Sequence, residues 1–329
     1  MIVVTGSNGL IGSAIAQRLL SEGFSLSGLK RDSSDMHLLT GQCVQQIQWK
    51  TGDILDIGSL NECFKNASVV IHAAAKVSFN SNKKRELFQV NVEGTKNVVN
   101  ACLANGVNKL IHISSVAALG QQKGITLIDE TSKWEESPLN SSYAKSKYLA
   151  ELEVYRGMEE GLPASIVNPS LVLGRGNWEK SSSKLFQYVW KENKFYSSGQ
   201  CNYVDIRDVV EIVFKLLNGN FLPHRFIASG GVITYKDIFE KIAFRLKKKA
   251  PSIKVSPFLV NTIARLEEMK GWLLNTNPLV TRESVKSASE KFTFSNQKSI
   301  YDLGMKYHPL DQTIDYCCEY YLRSYSTNK

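Results

Sequence analysis

Two side chains near the middle of the sequence have the types and the spacing that acid–base chemistry needs. Tyr143 and Lys147 lie four residues apart, so on a helix they share one face. A tyrosine with an unperturbed pKa of about 10 is a poor acid or base at neutral pH, but a cation about one turn away lowers that pKa. The same pair is common on solvated helices, so it indicates a reaction centre only where other groups converge on it.

Ser115 is the first such group. The segment 111–115 predicts a core strand that ends at Ser114 and Ser115. In a parallel sheet the carboxyl ends of the strands line the ligand crevice, so Ser115 can donate a hydrogen bond to a substrate oxygen as charge changes there. The alternative is that the two serines only cap the end of the strand.

A glycine-rich turn at residues 5–12 predicts a dinucleotide site. Gly6, Gly9 and Gly12 are spaced by three residues, between a β-branched run and a helical pattern. Gly6 permits a tight turn, Gly9 lets the backbone approach a pyrophosphate, and Gly12 lets the helix pack closely against the strand. The N–H groups at the start of the helix then face the phosphates. An ordinary β–α turn is the alternative.

A dinucleotide with an oxidised nicotinamide ring would complete the acid–base centre. The positive ring would add to Lys147 in lowering the pKa of Tyr143. Lys147 could also hold the nicotinamide ribose. The glycine turn and the tyrosine–lysine pair therefore favour one shared site.

The residues after the second predicted strand bear on the adenosine ribose. Lys30 and Arg31 stand at that turn and Asp32 follows them. Basic residues there suit the 2′-phosphate of NADP. Asp32 would instead accept the 2′-hydroxyl of NAD if the turn shifts by one residue. The sequence thus predicts NADP, with NAD as the alternative.

The order of strand and helix patterns predicts how these groups are positioned. Strands are predicted at 1–5, 24–29, 44–49, 69–72, 110–113 and 164–167, and helices at 10–20, 87–104 and 143–160. Repeated β–α units with short apolar strands indicate a parallel sheet covered on both faces. We expect an α/β fold with a Rossmann-type, doubly wound parallel sheet.

The pattern changes after Pro169, which predicts a second domain. Residues 1–170 and about 201–228 are assigned to the Rossmann domain, with a helix that starts at Tyr203. About 171–200 and 229–329 should form a smaller, mainly helical lid that binds substrate. The lid's candidate pocket aromatics are Trp178, Trp190, Tyr196 and Trp272. An apolar stripe fits lid packing better than a membrane surface; it comprises Leu259, Ile263, Leu266, Met269 and Leu273.

Composition excludes several other classes of protein. The 329 residues are 43% hydrophobic and 22% charged, which is ordinary for a soluble globular chain. No apolar run reaches the ~18 residues of a membrane span, and the first residues resemble a core strand more than a signal peptide.

Six scattered cysteines indicate reduced thiols and a cytoplasmic protein. The histidine spacing offers no metal site, and the net charge of +9 fits solvated helix faces better than nucleic-acid binding.

In combination, these motifs resemble the extended short-chain dehydrogenase/reductase family, part of the NAD-dependent epimerase/dehydratase superfamily. The motifs concerned are residues 5–12, Asp53-Ile54, His72-Ala73-Ala74, Asn91, Ser115 and Tyr143-x-x-x-Lys147. Residues 71–78, 278–283 and 303–304 resemble the branch that contains dihydroflavonol reductases and 3β-hydroxysteroid dehydrogenases. The resemblance covers nearly the whole chain.

The resemblance implies a catalytic role for three residues. Tyr143 would be the acid–base residue, Lys147 its activator and ribose ligand, and Ser115 the donor to the substrate oxygen. Ser115 is chosen over Ser114 because its spacing to Gly120 matches the family.

The resemblance also implies which residues bind the cofactor. Asp53 resembles the adenine contact, and Asn91 resembles the asparagine that opens the long helix behind the cofactor. Pro169 resembles the loop that touches the nicotinamide. The implied set is Gly6, Asn8, Gly9, Leu10, Ile11, Gly12, Arg31, Asp53, Ile54, Ala73, Ala74, Ala75, Asn91, Tyr143, Lys147 and Pro169. His72 and His112 are expected to be core-edge residues, and Asp205 or Asp208 to cap a helix.

Together the motifs predict an NADP-dependent oxidoreductase that interconverts a ketone or aldehyde and an alcohol on a small organic substrate, similar to dihydroflavonol reductases. A nucleotide-sugar epimerase would use the same three residues, and a catalytically silent NADP-binding scaffold could share the fold. The absence of an acidic pair at residues 114–116 argues against a dehydratase. A homodimer is among the assemblies that the resemblance allows.

Overall fold

A parallel sheet forms the centre of the computed structural model, which describes residues 1–39, 41–121, 124–219, 224–255 and 292–326. Its seven strands in this part of the chain are β1 (Ile2–Thr5), β2 (Leu26–Lys30), β3 (Gln48–Thr51), β4 (Val69–His72), β5 (Lys109–Ile113), β7 (Ala164–Pro169) and β11 (His224–Ala228). Their order across the sheet is β11-β7-β5-β4-β1-β2-β3, and every neighbouring pair is parallel.

Helices cover both faces of this sheet. In chain order, the α-helices in the described part of the chain are α1 (Leu10–Ser21), α2 (Gly41–Gln46), α3 (Ile57–Phe64), α4 (Lys84–Phe88), α5 (Gly94–Ala104), α6 (Ser142–Glu159), α7 (Lys184–Trp190), α8 (Ile206–Asn218), α9 (Tyr235–Leu246), α10 (Gln297–Leu303) and α11 (Leu310–Ser326). One core lies between the sheet and the α1–α8 pair, and the other lies between the sheet and α3, α5 and α6. Alternate strand residues enter opposite cores, as Val3 and Val4 do. The predicted doubly wound α/β fold is confirmed.

The strand order reverses beside β1, which sets the position of the ligand crevice. The chain runs outwards from β1 to β3 on one side and from β4 to β11 on the other. Thr5, His72 and His112 are paired in register at the carboxyl ends of three adjacent strands. Ligands of open α/β sheets bind outside such a switch point.

Short strands and helices build the remaining part of the chain. The strands are β6 (Leu127–Ile128), β8 (Leu171–Leu173), β9 (Phe195–Ser197), β10 (Gln200–Asp205), β12 (Gly231–Thr234), β13 (Ile253–Val255) and β14 (Thr293–Phe294). Strand β10 pairs with β8 and β12, β9 with β13, and β6 with β14. A third core joins this region to α7, α9 and α11. Trp178 and Trp190, predicted to line a pocket, belong to this core, where their ring centroids are 5.6 Å apart.

Three predicted elements need correction. The strand predicted at 44–49 is wrong in its first half, because Val44 lies in α2 and the indole N–H of Trp49 donates to its carbonyl at 2.8 Å. The helix predicted at 87–104 begins earlier and is interrupted by a π-helical turn at Gln89–Glu93. Tyr203 lies in a strand and does not start a helix, because Asp205 caps α8 by accepting from the N–H of Arg207 at 2.8 Å.

Some predicted features lie outside the described residues. These are the apolar stripe that begins at Leu259, Trp272 and the motif at 278–283. Among the residues that the structure does describe, none of the helices is both long and apolar enough to cross a membrane.

Candidate active site

The glycine turn after β1 lies at the switch point and is closed by tight backbone contacts. Gly6 has φ +69°, and a Cβ there would lie 2.6 Å from the amide nitrogen of Ala74. A Cβ on Gly12 would lie 2.1 Å from the carbonyl oxygen of Gly6. Both positions therefore need glycine for the fold itself.

Gly9 differs from the other two glycines. Its φ of −86° and ψ of 173° are open to any residue, and a Cβ there would meet the carbonyl oxygen of Gly6 at 3.3 Å. Gly9 is the N-cap of α1, and no side chain caps this helix start. The N–H groups of Leu10 and Ile11, in the first turn, consequently lie where a phosphate would be bound. This cradle fits the pyrophosphate of a dinucleotide.

The loop after β2 lies beside this turn. Asn8 donates through its side-chain amide to the carbonyl of Asp35 at 3.1 Å, which ties the two loops together. Arg31 is the first residue after β2 and, like Asp32, is exposed. Glu86 of α4 has a carboxyl pKa held below its usual value by contact with Lys76, with smaller contributions from Lys83 and Arg31. Arg31 therefore belongs to a predominantly basic rim.

The predicted adenine-side residues lie in the segments after β3 and β4. Asp53 accepts from the N–H of Leu55 at 3.0 Å through one carboxylate oxygen. Ile54 is buried, and its carbonyl accepts from the side-chain amide of Asn97 at 3.0 Å. The amide of Ala73 donates to the carbonyl of Thr5 at 3.1 Å. The second contact joins the loop after β3 to α5, and the third joins the ends of β1 and β4.

Asn91 acts as a clamp between two elements. Its side-chain oxygen accepts from the N–H of Lys76 at 2.8 Å, and its side-chain nitrogen donates to the carbonyl of Lys76 and to the hydroxyl of Ser146, both at 2.9 Å. The resemblance implied that Asn91 opens the long helix behind the cofactor. Asn91 is instead buried within the π-helical turn that precedes α5. Ala74 and the exposed Ala75 lie in the segment that this clamp holds.

Ser115, Tyr143 and Lys147 come together at the end of β5. The hydroxyl of Ser115 accepts from the N–H of Ala117 at 3.2 Å, and it lies near enough to the phenol of Tyr143 to lower the pKa of that phenol. The ammonium of Lys147 donates to the carbonyl of Ile113 at 3.0 Å. The sequence-predicted trio is thus one connected group, with a phenol and a hydroxyl available to a substrate oxygen.

Burial controls the electrostatics of this group. Burial raises the pKa of Tyr143 above its ordinary value, and the hydrogen bond from Ser115 opposes the shift. Lys147 alone therefore does not lower the pKa of Tyr143 in the way that we expected. Burial lowers the pKa of Lys147 to about 8, against the attraction of Glu151. The same cause lowers the pKa of His72 to about 3, so this core histidine is neutral.

Phe79 packs against Tyr143, and the end of β7 carries Pro169, the predicted nicotinamide contact. The ring of Phe79 meets the ring of Tyr143 edge-on, with centroids 5.8 Å apart. Pro169 ends β7 opposite Ala228, and Ser170 after it has a buried hydroxyl without a partner among the described residues.

Sequence reasoning missed the buried polar residues behind the trio. Glu151 follows Lys147 by one helical turn, and that spacing alone could have indicated it. Asn168 and Arg225 reach Glu151 from β7 and β11. Because Asn168 and Arg225 lie far from Glu151 in the sequence, no local spacing indicated these contacts.

Comparisons with known proteins agree with this geometry. The sequence model of the NAD dependent epimerase/dehydratase family matches residues 2–226. A protein of Synechocystis sp. with the provisional name of dihydroflavonol 4-reductase is 26% identical over 323 residues, which cover 94% of this chain and 91% of that protein. The decarboxylating sterol-4-alpha-carboxylate 3-dehydrogenase of Schizosaccharomyces pombe is 26% identical, with 94% and 93% covered.

Solved structures extend the likeness to the fold. The UDP-glucose 4-epimerase of Thermus thermophilus, solved in complex with NAD, has a TM-score of 0.76 at 21% identity and covers 97% of this chain and 98% of its own. A nicotinamide dinucleotide is the cofactor of the matched family. The chain belongs to the NAD-dependent epimerase/dehydratase family, the extended short-chain dehydrogenase/reductases, and is an NAD(P)-dependent enzyme.

Proposed function

We propose that this protein is an NADP-dependent oxidoreductase that interconverts a ketone or aldehyde and an alcohol on a small organic substrate. The observation that carries the proposal is the convergence of Ser115, Tyr143 and Lys147 at the end of β5, where Lys147 is buried and donates to the carbonyl of Ile113 and Ser115 acts on the phenol of Tyr143. The names of the relatives, a dihydroflavonol reductase and a sterol 3-dehydrogenase, support this reaction class.

Tyr143, Ser115 and Lys147 each have a separate role in the proposed reaction. When bound, the nicotinamide supplies or accepts the hydride. Tyr143 gives its phenolic proton to the carbonyl oxygen during reduction and takes it back during oxidation. Ser115 donates a hydrogen bond to the same oxygen, which stabilises the charge that develops there. Lys147 is held by Ile113 and favours the phenolate form of Tyr143 when a proton leaves.

The choice of NADP depends on the rim after β2. Arg31 is exposed at the first position of the loop, and a guanidinium can bind a phosphate through two parallel hydrogen bonds. Lys83, on the same rim, adds positive charge near Glu86. Asp32 is also exposed, which keeps NAD as the alternative.

We also infer two functional units and a dimer. Residues 1–170 and about 201–228 would bind the cofactor, and about 171–200 with 229–329 would bind the substrate. A homodimer is supported by Leu152 and Tyr155 on the outer face of α6, which are 43% and 37% exposed. The buried thiols Cys63, Cys102 and Cys317 support a reducing, cytoplasmic location.

The proposal is tested by following NADPH consumption with a panel of small ketones and aldehydes, and NADP⁺ reduction with the matching alcohols. Turnover by the wild type that is lost in Tyr143→Phe supports it. Interconversion of UDP-sugars without net NADPH consumption would instead identify an epimerase. Stoichiometric NADPH binding with no turnover on either panel would identify a cofactor-binding scaffold.

A further inference from the structure

The catalytic face of α6 extends one turn beyond Lys147. Tyr143, Lys147 and Glu151 follow one another at intervals of four residues, so all three lie on the same side of the helix. Glu151 is only 1% exposed. A carboxylate this deeply buried needs partners, because an unpaired charge in the interior is strongly unfavourable.

The carboxylate of Glu151 has two partners from other elements. One oxygen accepts from the side-chain amide of Asn168 at 2.6 Å, and the other lies 3.2 Å from the guanidinium of Arg225. Arg225 is fixed in turn by donating to the carbonyl of Glu130. Glu151 therefore forms a buried ion pair with Arg225 and has a defined position.

Asn168 connects this carboxylate to the catalytic serine. The same amide nitrogen that donates to Glu151 donates to the carbonyl of Ser115 at 2.8 Å. The hydroxyl of Ser115 meets the phenol of Tyr143. The orientation of Ser115 thus depends on a contact that begins at Glu151.

Glu151 also acts on the charge of Lys147. Burial lowers the pKa of the lysine, and Glu151 opposes that shift. The other titratable groups packed around Lys147 are His112 on β5 and His72 on β4, whose pKa values burial holds below the ordinary value. Tyr143 is neutral at neutral pH because its pKa is raised. Of the groups that the structure describes here, Glu151 is the one whose charge favours the ammonium.

We propose that Glu151 is a positioning residue for the reaction proposed above, which anchors Ser115 through Asn168 and stabilises the ammonium of Lys147 one turn before it on α6. The chemistry remains that of Ser115, Tyr143 and Lys147. Glu151 supplies the negative charge and the fixed acceptor that these three residues need.

The first test measures the charge of Lys147 without any substrate. Lysine side chains are labelled with carbon-13 at Cε and titrated by NMR, and the Lys147 signal is assigned by its loss in Lys147→Arg. In the wild type we expect a midpoint above neutral pH. In Glu151→Gln, which keeps an oxygen for Asn168, the midpoint should fall by about 1 pH unit or more. Glu153→Gln is the matched control, since Glu153 pairs with Arg156 on the outer side of the same helix.

The second test reads the same effect in catalysis. The acidic limb of the alcohol-oxidation profile should move to higher pH in Glu151→Gln, because a neutral lysine no longer favours the phenolate. Asn168→Ala removes the amide that joins Glu151 to Ser115, while Arg225 still pairs with the carboxylate. It should therefore lower kcat and leave the Lys147 midpoint near its wild-type value.

Three results would overturn the proposal. The first is a wild-type Lys147 midpoint below neutral pH, a measurement that needs no variant. The second is a folded Glu151→Gln protein with an unchanged Lys147 midpoint. The third is an Asn168→Ala enzyme with full activity. If Glu151→Gln fails to fold, the wild-type titration still decides the charge claim. Because the NMR titration uses no substrate, a failure of the proposed carbonyl reaction is recognised separately.

Discussion

Lys147 donates a hydrogen bond to the carbonyl oxygen of Ile113 at 3.0 Å. This contact joins α6, which carries Tyr143, to the end of β5, which leads into Ser115. The acid–base tyrosine and the serine that meets it are therefore positioned by one buried cation. The lysine has a structural task in addition to its electrostatic one.

Replacing Tyr143 by phenylalanine tests the acid–base assignment. We expect turnover to fall by about 100-fold or more, the size typical for loss of a proton donor. NADPH affinity should barely change, because the hydroxyl acts on the substrate. Steady-state rates and fluorescence titration of NADPH measure the two effects.

The control for this variant is Tyr148→Phe. Tyr148 lies on the same helix and stacks on Trp134, with ring centroids 4.5 Å apart, away from Ser115. It should keep full turnover. Equal turnover in Tyr143→Phe and wild type would remove Tyr143 from the mechanism.

The glycine turn predicts different outcomes for two substitutions. Gly9→Val should leave a folded protein that binds the cofactor much more weakly, because the backbone at Gly9 is unstrained and its side chain would stand where the pyrophosphate approaches. Gly6→Ala should instead lower Tm, because its Cβ would collide with the backbone of Ala74 and φ is positive. Thermal unfolding and cofactor titration separate the two. Unchanged cofactor affinity in folded Gly9→Val would contradict the phosphate-binding role of the turn.

The fold could be predicted wherever local patterns agree with tertiary packing. Strand β4 was predicted with its observed ends, because Val69–His72 is a short apolar run that both cores bury. Residues 44–49 led to a wrong prediction because a short apolar run fits a strand and a helix equally well. The observed helix end is set by the Trp49 indole, a contact that no local pattern reports.

Only part of the candidate site could be predicted from the sequence. The residues that face the substrate and cofactor belong to short motifs, such as Tyr143 and Lys147, and motifs are visible in sequence. The π-helical turn at Asn91 depends on Lys76 and Ser146 from other elements. Likewise, Arg225 reaches Glu151 only because β11 pairs with β7. Such contacts follow from the topology and not from spacing.

The buried ammonium of Lys147 predicts a pH-dependent term in stability. Its pKa falls from 10.5 to about 8 on folding, so between these values the unfolded chain binds more protons than the native protein. The free energy of unfolding should therefore gain about 3 kcal/mol from this residue as pH rises through that window. The gain is lost again as pH falls back from 10.5 to about 8.

Lys147→Met isolates this term from the other groups that titrate at alkaline pH. Relative to the wild type, the variant should be more stable below the window than above it, because only the wild type carries the buried ammonium. Urea unfolding of both proteins at a series of pH values measures the difference. A difference in stability that stays constant across the window would show that Lys147 does not titrate as proposed.

The cofactor preference predicts opposite results for two neighbouring substitutions. Arg31→Ala should weaken NADPH binding and leave NADH binding nearly unchanged, because the guanidinium would contact only the 2′-phosphate. A charged hydrogen bond of this kind contributes about 1.5–3 kcal/mol, so the loss should be roughly ten- to a hundred-fold in Kd. Asp32→Ala is the matched control, since Asp32 is equally exposed on the same loop and should not weaken NADPH. If Asp32 accepts the ribose hydroxyls of NAD instead, the wild type will bind NADH more tightly than NADPH, and Asp32→Ala will be the damaging change. Dissociation constants of both cofactors for the three proteins decide between these accounts, and a wild type that prefers NADH would contradict the assignment of NADP.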